Sequence, residues 1–362
     1  MKLLQMPLQP SKQHQKILIA SAISVALAFV FFVVKFVSLG KVEGLAEVIV
    51  EPVVANTPII HHPLSGVAID AALEDLPQVY SVMIDNSADA WPQSGIDQAF
   101  LVIEAPVEAG IPRLHAFFSA DTNVDKIGPV RSARPYFVDW ANQLDALYAH
   151  VGGSNDALEL ISSNGTFDLN EFWNDQYFWR ARDRYAPHNT YTSTELLSKA
   201  VSAREERGMA PDLLYGTWQW DETVPAADVL GGSVSVLFSN SSTYTAHWFY
   251  DIATGRYARM QGDWRTKTQD NVEVFADNVV VIVTDISILD AVGRRQIRTV
   301  GEGDAWVFKD GQSIEATWRS SSETVRMRFY DVAGAEIALN PGSTWIEVTG
   351  DKENVTITTV TN

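Results

Sequence analysis

Residues 126–154, KIGPVRSARPYFVDWANQLDALYAHVGGS, constrain the fold more than any other stretch of the chain. Arg134-Pro135 opens a helix, since proline in the first turn lacks an N–H that would have no intrahelical partner there. Tyr136, Phe137, Trp140 and Leu144 continue it, apolar at helical spacing. Residues 146–151 read as a buried strand that ends at Gly152-Gly153, and Ser154 caps a second helix over 155–161. Helix, strand, glycine turn and helix in so short a space call for a layered α/β structure. The strand–turn–helix step also makes a place where backbone N–H groups can face an anion.

The flanking sequence extends that pattern. Residues 80–86, 99–105 and 113–119 read as strands, with 106–112 as the loop between the last two. The run 99–105 is almost continuously apolar, as expected of a strand covered on both faces. Residues 167–192 are aromatic-rich and irregular, and Thr192-Ser-Thr-Glu195 is a capping-box pattern that starts a helix through Arg204. After 208–215 the texture changes to short strands at 234–238, 244–250, 257–261, 278–284, 305–308, 324–330 and 345–348, separated by Gly, Asn and Asp turns. The reading is mixed α+β or α/β: an α/β domain over 63–207, then a β-rich domain over 213–350, a twisted sheet or partly closed barrel, and a tail over 351–362.

Upstream of this body, residues 17–34 are 18 consecutive apolar or small residues, with Lys2, Lys12 and Lys16 before them. That length can span a bilayer of roughly 30 Å. The lysines keep the N-terminus, 1–16, cytoplasmic. The expectation is a single-pass transmembrane anchor over 17–39, a linker over 40–62 and an extracytoplasmic body in the cell membrane. A cleaved signal peptide fits less well, since its apolar region is shorter and an A-x-A site should follow. His61-His62 read as exposed linker residues. The net charge of −18, from 45 acidic and 27 basic residues, disfavours nucleic acid as a partner. The absence of cysteine excludes disulfides, thiolate metal sites, a cysteine nucleophile and a lipidated cysteine.

The residues that could carry chemistry cluster in the first half. Arg131 and Arg134, three apart and flanked by prolines, can grip a carboxylate or phosphate, or can instead lock the loop by pairing with Asp85, Glu104 or Glu108. His150 at a strand end is a base or anion donor, or a histidine bonded to its own turn. Ser132, Gly152, Gly153 and Ser154 complete the expected anion site, with Ser154 better suited to capping than to nucleophilic attack because it lacks a G-x-S-x-G elbow. His188-Asn189, in an irregular loop after Arg180, Arg182 and Arg184, can reach into a cleft. Catalysis would draw on His150 or His188 as base with Asp85 or Glu104 as partner. No histidine spacing supports a metal, and neither a P-loop lysine nor G-x-G-x-x-G supports a nucleotide, so no cofactor is expected. Trp173, Trp179, Trp218, Trp220, Trp248 and Trp264 are either core or flat platforms for sugar rings, while Trp140, Trp318 and Trp345 read as core.

Several blocks resemble the YerB-like bacterial envelope lipoproteins, which pair two domains of unknown function. They are Val82-Met-Ile-Asp-Asn86, Pro92-Gln-Ser-Gly95, Glu104-Ala-Pro-Val-Glu108, residues 126–135, His150-Val-Gly-Gly-Ser154 and Pro187-His-Asn189. In the second half, Gly303, Gly311, Thr317-Trp318 and residues 339–345 are similar to the family more loosely. The resemblance covers roughly 63–350. It implies paired domains and an envelope location, with no activity to carry over. Family members carry a lipidated cysteine, which the transmembrane run would replace here. The expected function is an accessory module that binds an anionic wall ligand, a glycan or peptide carboxylate. The alternatives are a hydrolase or transferase on envelope polymers, and a scaffold for a cell-wall enzyme.

Overall fold

The apolar strands of the first half are β1 (Val79–Ile84), β2 (Leu101–Pro106), β3 (Pro112–Ser119) and β4 (Leu147–His150), with a short β5 (Asp168–Asn170) beyond them. The computed structural model describes residues 59–362 apart from 71, 222, 224–230 and 360–362. The expected anchor at 17–39 and all of the linker before residue 59 lie outside the described residues. No helix among the described residues is long and apolar enough to cross a membrane.

Every residue of β1 to β4 is buried, and because strand side chains alternate, both faces must be covered. One face, through Val79, Met83, Leu101 and Ile103, packs on helices α1 (Pro135–Asn142) and α2 (Asn155–Asn164), with Phe137, Trp140 and Ala157 buried between. The other, through Tyr80, Val82, Ile84 and Val102, packs on α3 (Thr194–Glu205), with Leu197 and Ala200 in contact. α2 is capped by Ser154, whose Oγ accepts from Ala157 N at 3.3 Å, and α3 by Ser193, whose Oγ accepts from Leu196 N at 3.2 Å. Truncating a buried aromatic such as Trp140 to alanine costs about 3–5 kcal/mol in such a core.

The second half is β-rich, as expected, but its strands serve two sheets. β6 (Gly232–Val236), β7 (Ala246–Asp251), β8 (Arg256–Gln261), β9 (Trp264–Arg265), β10 (Phe275–Ala276) and β16 (Val355–Thr359) form a small sheet over the α3 face. β11 (Asn278–Val283), β12 (Gly301–Lys309), β13 (Gln312–Ser320), β14 (Arg328–Asp331) and β15 (Thr344–Thr349) join the first-half strands in one ten-stranded sheet. Its order is β14-β13-β12-β11-β15-β2-β3-β1-β4-β5. β15 is the seam, parallel to β11 on one side and to β2 on the other, with Glu347 opposite Glu104.

That seam is where a separate second-half sheet or barrel gives way. β2 and β15 are both fully buried, and pairing them satisfies two backbone edges that would otherwise need covering. Two further differences follow from pairing. The expected tail contains β16, hydrogen-bonded antiparallel to β6. His62, at the end of the expected linker, is buried rather than exposed, and its Nε2 lies 2.9 Å from Asp121 Oδ2.

Candidate functional site

The end of β1 turns Asp85 and Asn86 to opposite sides of the sheet, as alternation requires. Asp85 is buried and meets an arginine and a histidine. His188 Nδ1 lies 2.7 Å from its Oδ2, and Arg131 Nε lies 3.0 Å from the same oxygen, a charge contact off the hydrogen-bond line. Ser87 N donates to Oδ1 at 2.9 Å. Burial pushes the Asp85 carboxyl upward, but Arg131, the Ser87 N–H and His188 outweigh it and hold the group below its ordinary value. Arg131 and Asp85 are placed by backbone pairing: Arg131 N donates to Met83 O and Asp85 N to Pro129 O, each at 2.8 Å.

Access distinguishes this cluster. The Arg131 side chain is 26 % exposed and that of His188 19 %. Among the described residues, no hydrogen bond engages the Nη atoms of Arg131 or Nε2 of His188. With Nδ1–H given to Asp85, Nε2 of a neutral His188 presents its lone pair; protonated, the ring is a donor beside the guanidinium. The arrangement can hold an anion or accept a proton.

The other expected site residues are not gathered here. Arg134 is spent on Glu108, Nε to Oε1 at 2.8 Å and Nη2 to Oε2 at 2.7 Å, with Nη1 on Ala133 O. His150 is fully buried: Nδ1 bonds Gly152 O at 2.7 Å and Nε2 bonds Asp168. This is the turn-bonded histidine of the alternative reading. At the glycine turn, Gly152 N donates to Asn170 Oδ1 and Ser154 N to Ala133 O. A Cβ on Gly152, whose φ is +56°, would sit 2.8 Å from the Phe172 ring, so packing and backbone explain that glycine. Ser132 offers its carbonyl to Arg113 Nη1. Asn189 bonds Arg180 and Ala181. His115 is enclosed by Phe117, Phe137 and Tyr148, and burial keeps it well below its ordinary pKa, hence neutral. Among the described residues no cluster of metal-ligating side chains forms.

Glu104 belongs to a second, sealed cluster that sequence reasoning missed. Its Oε2 accepts from Arg259 Nη2 at 2.7 Å and lies 3.3 Å from Trp345 Nε1, and its Oε1 accepts from Asn86 Nδ2 at 2.9 Å. Glu347, its neighbour across the seam, accepts from Trp248 Nε1 at 2.7 Å. Burial first, and then the Glu104 charge, push the Glu347 carboxyl well above the ordinary range. Arg259 also stands over the Trp345 ring at 4.9 Å. A carboxylate inside an otherwise apolar strand, TWIEVT, was the signal available in the sequence.

Comparison with known proteins now adds to this geometry. Residues 64–208 match the model "Protein of unknown function (DUF3048) N-terminal domain", and residues 234–346 match the corresponding C-terminal domain. The chain belongs to the YerB-like family of paired DUF3048 domains. It is 29% identical over 337 residues to "Putative lipoprotein YerB" of Bacillus subtilis (strain 168), covering 92% of this chain and 96% of that protein. A crystal structure of YerB protein from Bacillus subtilis matches with a TM-score of 0.73 at 28% identity, covering 83% of this chain and 99% of that one. The paired-domain resemblance read from the motifs is thus what the comparisons find.

Proposed function

We propose that this chain is an extracytoplasmic envelope protein, held to the cell membrane by a single-pass anchor over residues 17–39, that binds an anionic wall-related ligand as an accessory module. The name of its Bacillus subtilis relative supports an envelope location, and the apolar run substitutes for the lipidated cysteine this sequence lacks. The ligand-binding reading centres on Arg131 and His188. The observation that carries it is the partly exposed Arg131 guanidinium, its Nη atoms uncommitted beside the His188 ring. Of the wider set expected from the sequence, Arg134, His150, Gly152 and Gly153 act as supports that fix the turn around Arg131. The test is titration of the full chain with carboxylate-bearing muropeptides. Arg131→Ala should weaken binding about tenfold or more, the scale of a lost charge-assisted bidentate contact. Unchanged affinity sinks the reading.

A specific distance favours a second reading. His188 Nδ1 within 2.7 Å of Asp85 is the base–partner separation that a hydrolase requires. In that case His188→Gln abolishes turnover of wall polymers while Asp85→Asn lowers it, and an absence of turnover by the unaltered chain excludes it.

A further inference from the structure

A cleft of about 240 Å³ lies between the 86–93 loop of the first half and the 259–267 hairpin of the second. Its floor is a hydrogen-bond chain of fixed polarity. Trp91 Nε1 can only donate, and does so to Asn86 Oδ1 at 2.8 Å. Asn86 must therefore turn its Nδ2 toward Glu104 Oε1 and Gln261 Oε1, at 2.9 and 3.1 Å. Arg259, also donor only, gives Nη2 to the same Gln261 oxygen. With two donors on its oxygen, the Gln261 amide cannot be flipped, and its Nε2 is left over.

That nitrogen is the feature without a structural explanation. Gln261 is 3% exposed and lines the cleft, yet among the described residues Nε2 has no hydrogen-bond partner, and the same holds for Nε of Arg259, 1% exposed. A buried donor left unpaired is destabilising, so an occupant that brings an acceptor is favoured. The charge of Arg259 is already met by Glu104, and Arg265 and Lys267, which also line the cleft, are paired with Glu273 at 3.5 and 3.7 Å, so the acceptor that fits is a neutral carbonyl; a second carboxylate beside Arg259 would be repelled by Glu104. Above this floor stands Trp264, 73% exposed, whose indole lines the cleft. An exposed indole face suits the C–H face of a sugar ring. The volume falls below the roughly 300–1,000 Å³ of typical ligand pockets, which limits the occupant to about one ring.

We propose that this cleft is a saccharide subsite for a single N-acetylated sugar ring, with its acetamido oxygen accepting from Gln261 Nε2 and its C–H face on Trp264. The subsite stands independently of the Arg131 site, so either can fail alone. The experiment is saturation-transfer NMR on the full chain with N-acetylglucosamine, using glucose as the ring without the acetamido group. Transfer should be strongest at the acetyl methyl and weak for glucose. Trp264→Ala, at an exposed position, should weaken binding at least tenfold with the fold intact. Gln261→Glu keeps the oxygen that Arg259 and Asn86 need but replaces the donor by a second acceptor, and should abolish transfer. Equal transfer to both sugars, undiminished binding in Trp264→Ala, or no transfer to either sugar overturns the proposal.

Discussion

The two carboxylate–arginine clusters use the same chemistry to different ends. Asp85 with Arg131 and His188 keeps part of its guanidinium and imidazole in solvent. Glu104 with Arg259 and Glu347 is buried, at 0%, 1% and 0% exposure. In the open cluster the partly exposed Arg131 and His188 side chains reach solvent. In the sealed one the chain itself supplies partners, with Asn86, Trp248, Trp345 and Gln261 recruited from both halves, and among the described residues it leaves Arg259 Nε and Gln261 Nε2 unpaired. Access, rather than the identity of the charged residues, separates a cluster open to an incoming group from a structural clasp.

The comparison breaks most visibly at Arg259. Arg259→Met leaves Glu104 buried without its cation and should cost about 3–5 kcal/mol, read from urea unfolding. A loss below about 1 kcal/mol would show that the clasp is not an ion pair. Next comes Glu347→Gln. Because the folded Glu347 holds its proton to higher pH than the unfolded chain, its favourable contribution is full below the ordinary value of roughly 4.3 and is lost as pH rises through the folded value. The substitution removes that loss, so the variant should gain on the original as pH rises and match it in acid; parallel stability curves would contradict the shift.

Asp85→Asn is the open counterpart, with the opposite sign. The folded Asp85 titrates below its ordinary value, so its contribution is present above roughly pH 3.9 and fades as pH falls through the folded value. We expect a loss of about 1–2 kcal/mol at neutral pH that vanishes in acid. The smallest effect on stability is at Arg131. Arg131→Ala should change unfolding by about 1 kcal/mol or less while removing ligand affinity, and a larger stability loss would move Arg131 into the clasp class.

Much of the first half was legible in the sequence because its signals are local. Apolar runs at 80–86, 99–105 and 113–119 correspond to β1, β2 and β3, and the Arg134-Pro135 and Ser154 signals correspond to α1 and α2. Trp140, Trp318 and Trp345 are core as read, and of the six tryptophans left open Trp173 and Trp264 are exposed. The Asp85–His188 contact spans 103 residues, and no local pattern could select His188 over His150 as the partner of Asp85. The strands at 168–170 and 355–359 went unread, because each depends on a partner strand more than on its own apolar content.

By itself, the sequence determined the mixed α/β character of residues 63–207, the β-rich character of the second half, the family and the candidate chemical groups. Those follow from periodicity, capping and motif blocks, which act over a few residues. Only the tertiary structure decided that both halves share one ten-stranded sheet, that β15 runs beside β2, and which arginine is open. Strand pairing and solvent access depend on which distant edges meet, and residues far apart in the chain settle that together.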